Sequence, residues 1–323
     1  MIERLVSAIQ EANTHRAAEV LVTPLAHSPG LSAELDCELF LKCEHLQTTG
    51  SFKYRGAANK LRCLEPALAR SGVITASSGN HGQAVALAGR VAGIPVTVYV
   101  SASASPTKLA AIRSYGAELV LLDLPALDVE LQARRDADAQ GRPFISPYND
   151  LDVIAGQGTI GLELLEQNPS LDVVFCAVGG GGLISGLSAA LKASRPDIRV
   201  VGCWPEVASS LKVAIDAGRI VDVEEGDTIS DGTAGGVEPD SITLDLCRRL
   251  LDDTVLVSEH AIKTAMRAIA ANERWMVEGA AGVALAGAEA FRSYIRGKKV
   301  AVIVCGRNIA VDKFVSAIQS VNV

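Results

Sequence analysis

Aromatic side chains are scarce, at 4% of 323 residues, so the interior must be built from the aliphatic and small residues that dominate a 49% apolar composition. Cysteine pairing is missing as well. Cys37, Cys43, Cys63, Cys176, Cys203, Cys247 and Cys305 are odd in number, include no C-x-x-C pair and fall partly inside apolar runs, so they read as reduced thiols and not as a disulfide frame or zinc site. The histidines His15, His27, His45, His81 and His260 include no pair at the spacing of one helix face, which leaves no histidine metal centre. A net charge of −7, a pI near 5.4 and scattered Lys and Arg supply no basic stripe, so nucleic acid is not an expected partner. No apolar run reaches the roughly 18 residues that span a bilayer. The first residues, Met1-Ile2-Glu3-Arg4-Leu5-Val6, break their apolar positions with charge and form no secretory core. A cytoplasmic protein without a membrane partner is expected.

What is present is alternation. Short apolar, β-branched stretches at residues 39–42, 73–76, 96–100, 118–122, 173–177, 199–202, 254–257 and 300–304 are separated by longer helical patterns. That is the signature of parallel sheets covered by helices on both faces. Residues 82–92 and 105–115 carry apolar positions at three and four spacing, each followed by a glycine that ends a helix. The length suits one large core or two ordinary ones, and two lobes are expected, with residues 143–158 as the crossing.

Three loops follow strands at the ends where open α/β sheets bind ligands. Gly179-Gly180-Gly181-Gly182-Leu183 lies between a strand and a helical pattern, where successive backbone N–H groups and a helix N-terminus favour an anion. A dinucleotide fingerprint fails there, because its third glycine falls on Ile184 or Ser185, and no Lys-Ser or Lys-Thr completes a P-loop. A phosphate on something smaller remains. Ser77-Ser78-Gly79-Asn80-His81-Gly82 supplies hydroxyls, an amide and backbone donors suited to a carboxylate, although a plain capped turn reads equally well from this segment alone. Cys305 opens the turn Cys305-Gly306-Arg307-Asn308. Lys53, in Ser51-Phe52-Lys53-Tyr54-Arg55-Gly56, adds an amine able to form a Schiff base, and the set together describes a pyridoxal phosphate pocket.

From about Pro24 to Val311 the chain resembles the fold-type II pyridoxal-phosphate enzymes of the serine/threonine dehydratase and serine racemase family. The resemblance implies that Lys53 carries the cofactor, with Phe52 against the ring. It implies that Ser77, Ser78, Gly79, Asn80 and His81 bind the substrate carboxylate, Asn80 also meeting the ring hydroxyl. Gly179, Gly180, Gly181, Gly182 and Leu183 would hold the phosphate, Cys305 would sit beside the pyridine nitrogen, and Asn149, Gly232 and Glu278 would line the pocket. The implied architecture is α/β and two-lobed, each lobe a mostly parallel sheet flanked by helices with the cofactor in the cleft. Residues 1–70 and 149–323 would form the larger lobe and residues 71–148 a smaller, mobile one, in a homodimer. The chain ends soon after Asn308, so no regulatory domain is expected.

The activity so implied is dehydration of an L-β-hydroxy amino acid such as threonine, serine, phenylserine or hydroxyaspartate to a 2-oxo acid and ammonia. Lys53 would take the Cα proton, and a neutral thiol at Cys305 would favour elimination over transamination. Amino acid racemisation is the alternative, carried by Ser78 as a second proton-transfer group; a non-catalytic binding protein is the third reading. The family's activating cation is not expected, since Trp204 and Ser210 stand where a Glu and an Asp would be, with Glu206 nearby. Substrate choice depends on residues 231–238, whose geometry the sequence does not reveal.

Overall fold

The structure, a computed structural model, describes residues 1–321. Nine strands occur among them: β1 (Leu25–His27), β2 (Glu38–Lys42), β3 (Val73–Ala76), β4 (Val96–Ser101), β5 (Glu118–Leu122), β6 (Val173–Ala177), β7 (Arg199–Pro205), β8 (Asp253–Val257) and β9 (Lys299–Ile303). One sheet has the order β1-β2-β9-β6-β7-β8 and the other β3-β4-β5. Every neighbouring pair is parallel except β1 with β2. β6 and β3 are buried at every residue, as strands covered on both faces must be, which is why their apolar runs are unbroken.

The expected strands are all found, with small changes at their ends. β7 runs on through Cys203-Trp204-Pro205, where Trp204 and Pro205 pair with Leu256 and Val257 of β8. β1 was not expected; three residues are too few to show a period. The helix Asn80–Ala92 ends at Gly93, whose φ of 69° is the left-handed stop its sequence suggests. Ser105 caps the helix Pro106–Ser114 through the Lys108 N–H.

Four buried apolar clusters form among the described residues. The largest surrounds the six-stranded sheet and contains Phe175, Trp204 and the buried helix Gly279–Ala290. The second joins Val73, Val96 and Val98 of the smaller sheet to Tyr54, Ala57 and Leu61. The helix Lys53–Cys63, which a boundary at residue 70 assigns to the larger lobe, therefore shares its apolar face with the smaller sheet. Its other side meets the helix Leu151–Gln167 at backbone distance: a Cβ on Gly156 would lie 2.5 Å from the Arg55 carbonyl oxygen, and one on Gly56 2.7 Å from that of Val153.

A buried ion cluster fixes this helix. The Arg55 guanidinium donates through Nε and Nη2 to Glu44, each at 2.8 Å, and through Nη1 and Nη2 to Glu163 at 2.7 and 2.9 Å. Lys42 donates to Glu163 at 2.6 Å, so two cations face two anions with side chains essentially out of solvent. Burial alone would push the Glu163 carboxyl up, but Arg55 and Lys42 hold it below the usual carboxylate range. Arg55→Ala would leave buried charge unpaired and is expected to cost about 3–5 kcal/mol. Arg55→Lys, lacking the planar fork, should recover only part of that. Denaturant unfolding of the two variants measures both.

Candidate active site

Lys53 begins the helix Lys53–Cys63, two residues before Arg55, and reaches into a cavity of about 780 Å³ between the two sheets. That volume lies in the range of cofactor sites. Its Nζ donates to the Pro147 carbonyl at 2.8 Å and sits 5.2 Å from the Phe52 ring centre. Burial lowers its pKa from 10.5 to about 8.

Phe52 is held by its own N–H on the Cys305 carbonyl at 3.1 Å, and Arg307 N–H closes on the Gly50 carbonyl at 3.0 Å. Between these, Ser51 and Gly306 form an antiparallel bridge. The turn after β9 is thus stitched to the segment carrying Lys53. Asn308 Nδ2 extends the stitching, donating to the Thr49 carbonyl at 2.8 Å and to Asn80 Oδ1 at 2.6 Å. Asn80 in turn donates to both Glu278 oxygens at 3.0 Å, and Cys305 Sγ lies 3.8 Å from Glu278 Oε1. Burial pushes the Cys305 thiol well up, with the Glu278 carboxyl adding to it, so Cys305 is a neutral thiol.

Ser77, Ser78, Gly79, Asn80 and His81 follow β3 along the cavity wall, together with Gly179 to Leu183, Gly232, Glu278 and Cys305. Gly79 N–H donates to Ser77 Oγ at 3.1 Å, while the Ser78 hydroxyl has no partner among the described residues. His81 serves the fold: its Nε2 faces the Ile145 carbonyl at 3.0 Å, which only accepts, so Nε2 carries the proton. Burial and the Lys53 charge push its pKa down to about 3, which keeps the ring neutral.

Asn149 does not reach the cavity. Its Nδ2 donates to Glu238 at 2.5 Å and its Oδ1 accepts from Ile242 N–H at 3.0 Å, so both ends of the amide are occupied. The cavity wall beside it belongs to Tyr148, whose ring packs so closely on the glycine run that a Cβ at Gly180 would collide with it. A Cβ at Gly182 would lie 2.8 Å from Tyr148 Cα. The run is glycine for this packing as well as for an anion. Gly181, at φ 86°, turns the chain into the helix Gly182–Ser194, whose first N–H groups face the cavity. Tyr148 and Glu130 line the cavity although no motif marked them.

At the rim, Asp231 takes Lys108 at 3.0 Å from the helix Pro106–Ser114 and Lys313 at 2.5 Å from the helix Val311–Gln319. Trp204 is buried, and Ser210 Oγ donates to Glu225 at 2.5 Å.

A desolvated lysine, a glycine anion loop at a helix N-terminus and a neutral thiol in one cleft are the parts a phosphorylated pyridine aldehyde needs, and the residues present fit that group. The chain belongs to the pyridoxal-phosphate dependent enzyme family, matched over residues 17–306. It is 40% identical to L-threonine ammonia-lyase of Thermotoga maritima, covering 94% of this chain and 75% of that one. It is 37% identical to L-threo-3-hydroxyaspartate ammonia-lyase of a Pseudomonas species, covering 92% and 93%. The solved structure of maize serine racemase superposes with a TM-score of 0.90 at 33% identity, covering 98% of this chain and 97% of that one. No described helix is long and apolar enough to cross a membrane.

With its pKa near 8, the free Lys53 amine is about one-tenth neutral at pH 7, against well under one-thousandth for an ordinary lysine. Incorporation of pyridoxal phosphate into apoprotein should therefore quicken nearly tenfold per pH unit below about 8 and level off above it. Stopped-flow absorbance reads this rate. Lys53→Ala should lose both the yellow chromophore and turnover.

Proposed function

We propose that the chain is a pyridoxal-phosphate dependent ammonia-lyase that converts an L-β-hydroxy amino acid to a 2-oxo acid and ammonia. The observation that carries the reading is the placement of a desolvated Lys53 across one cavity from an unoccupied hydroxyl and donor turn, with a neutral Cys305 at the strand end. When bound, the cofactor supplies an electron sink for the pair left at Cα. The protein's own groups do the rest. Ser77 to Asn80, at the N-terminus of the helix Asn80–Ala92, hold the carboxylate, and Lys53, with a pKa suited to a base near neutrality, takes the Cα proton. A neutral thiol at Cys305 would offer a bound ring nitrogen no carboxylate charge to hold a proton there, which would favour elimination over transamination. The relatives named for threonine and hydroxyaspartate ammonia-lyase support the reaction class.

Racemisation is the second reading, favoured by the free hydroxyl of Ser78 in the cavity and by the likeness to serine racemase. Ser78→Ala separates the two. Loss of a positioned proton-transfer group costs about 10² to 10⁴ in rate, so any racemase activity should fall by that order while 2-oxo acid release falls far less. Incubation of a pure L-β-hydroxy amino acid, with its Cα-inverted D-amino acid (D-serine from L-serine, D-allothreonine from L-threonine) and 2-oxo acid both measured, decides; predominant D-amino acid would sink the lyase reading.

The protein is read as a cytoplasmic homodimer whose residues 71–148 move on substrate binding. Support for a dimer comes from exposed Leu21, Val22, Leu46 and Met276 around the tilted His45 and Trp275 ring pair, a patch of the kind subunits cover. Leu46→Asp should shift the mass in analytical ultracentrifugation toward the monomer. Full activity is expected after exhaustive chelation; loss restored only by magnesium or calcium would refute cation independence.

A further inference from the structure

The glycine run is held from behind by a residue that does not line the cavity. Thr243, at the start of the helix Thr243–Leu250, is buried, and its hydroxyl donates to the Gly180 carbonyl at 2.7 Å. A carbonyl brings no proton, so the Thr243 proton lies on that line. Ser241 Oγ, 2.7 Å from Thr243 Oγ1, therefore donates to Thr243, and it accepts from the Thr243 N–H at 3.4 Å. Together with Leu211 and Cys247, Thr243 forms the wall that a Cβ on Gly181 would strike, at 2.6 to 3.2 Å. These three residues do not line the cavity, whereas Gly179 to Leu183 do. The loop thus has Thr243 on one face and the cavity on the other.

The peptide between Gly180 and Gly181 is trans, so its C=O and its N–H point to opposite sides. Fixing the Gly180 carbonyl on Thr243 therefore aims the Gly181 N–H away from that wall and toward the cavity. Gly181 is left-handed at φ 86° and Gly182 begins the helix, an alternation that gathers the N–H groups of Gly181, Gly182 and Leu183 into one concavity. None of the three has an acceptor among the described residues. Turned over, the same peptide would present a carbonyl oxygen to an anion, and glycines carry no side chain to resist that rotation. We propose that Thr243 is a positioning residue for the cofactor phosphate, its hydroxyl locking the peptide between Gly180 and Gly181 with the N–H toward the anion. Ser241 orients that hydroxyl.

The inference needs a cofactor phosphate on the glycine run, and neither the lyase nor the racemase reading. Pyridoxal and pyridoxal 5'-phosphate differ in the phosphate, so the ratio of their dissociation constants on the full chain freed of cofactor, titrated by the yellow absorbance, reports what the loop adds. Comparing variants cancels the difference in free aldehyde between the two ligands. Thr243→Val keeps the shape and removes the hydroxyl; the preference for the phosphorylated ligand should fall about tenfold, with pyridoxal binding within about twofold of the wild type. Thr243→Ser restores the donor and should keep the preference within about twofold. In the holoenzymes the phosphorus NMR resonance should move in Thr243→Val and stay in Thr243→Ser. Ser241→Ala tests the relay independently of how Thr243→Val folds, and should lower the preference about twofold to threefold. An unchanged preference in Thr243→Val or in Ser241→Ala, or an equal loss in Thr243→Ser, overturns the proposal. Loss of both ligands by the same factor in Thr243→Val marks a merely structural role and overturns it as well, as does equal affinity of the wild type for the two. Absence of 2-oxo acid from every L-β-hydroxy amino acid tried would instead sink the ammonia-lyase reading and leave these ratios as they are.

Discussion

The site depends on a charge cluster that takes no part in its chemistry. Arg55 is buried with both of its edges on carboxylates, Glu44 from the turn after β2 and Glu163 from the helix Leu151–Gln167. Two residues earlier in the same helix is Lys53. Because a guanidinium fork satisfies four carboxylate oxygens only in one orientation, the helix start is fixed in rotation and depth. Replacing such a cluster by apolar residues need not reduce stability, so its use is better sought in geometry. The glycine contacts between Gly56 and Gly156 act in the same direction, by letting two helix backbones approach until neither can slide.

Around this fixed point the cleft sorts its titratable groups by environment. Lys53, His81, Cys305 and Glu130 are each pushed toward the neutral form by burial. A neutral amine is a nucleophile and base. Neutral His81 is a donor to the Ile145 carbonyl, tying the carboxylate turn to the strand-end segment that continues into Pro147. Several carboxylates around the cleft have close donors: Glu238 on Arg134, Asp231 between two lysines, and Glu278 accepting from Asn80.

The sequence exposes those parts of this arrangement that obey local rules. β3, β6 and β9 are continuous apolar runs, and the helices Asn80–Ala92 and Gly182–Ser194 begin at glycine or amide turns, so strands, loops and the lysine motif are readable without coordinates. β1 is too short for any period. Asn149 and Tyr148 show the stronger limit, since they are adjacent in the chain and the choice of which one faces the cavity depends on Glu238, roughly 90 positions later. Glu130 is hidden for a like reason. On its helix it reads as one more polar residue, and only the fold around it makes it a buried acid.

Tyr148 links the two ends of the cavity. Its ring lies against Gly180 and Gly182, and its hydroxyl accepts from Glu238 N–H at 2.9 Å. Pro147, the preceding residue, accepts from Lys53. One short segment therefore touches the anion loop, the lysine and the backbone of the 231–238 loop. A shift of that loop would meet the glycine run through the rigid Tyr148 ring, so substitutions that move Glu238 are expected to disturb the glycine run unless Tyr148 keeps its place.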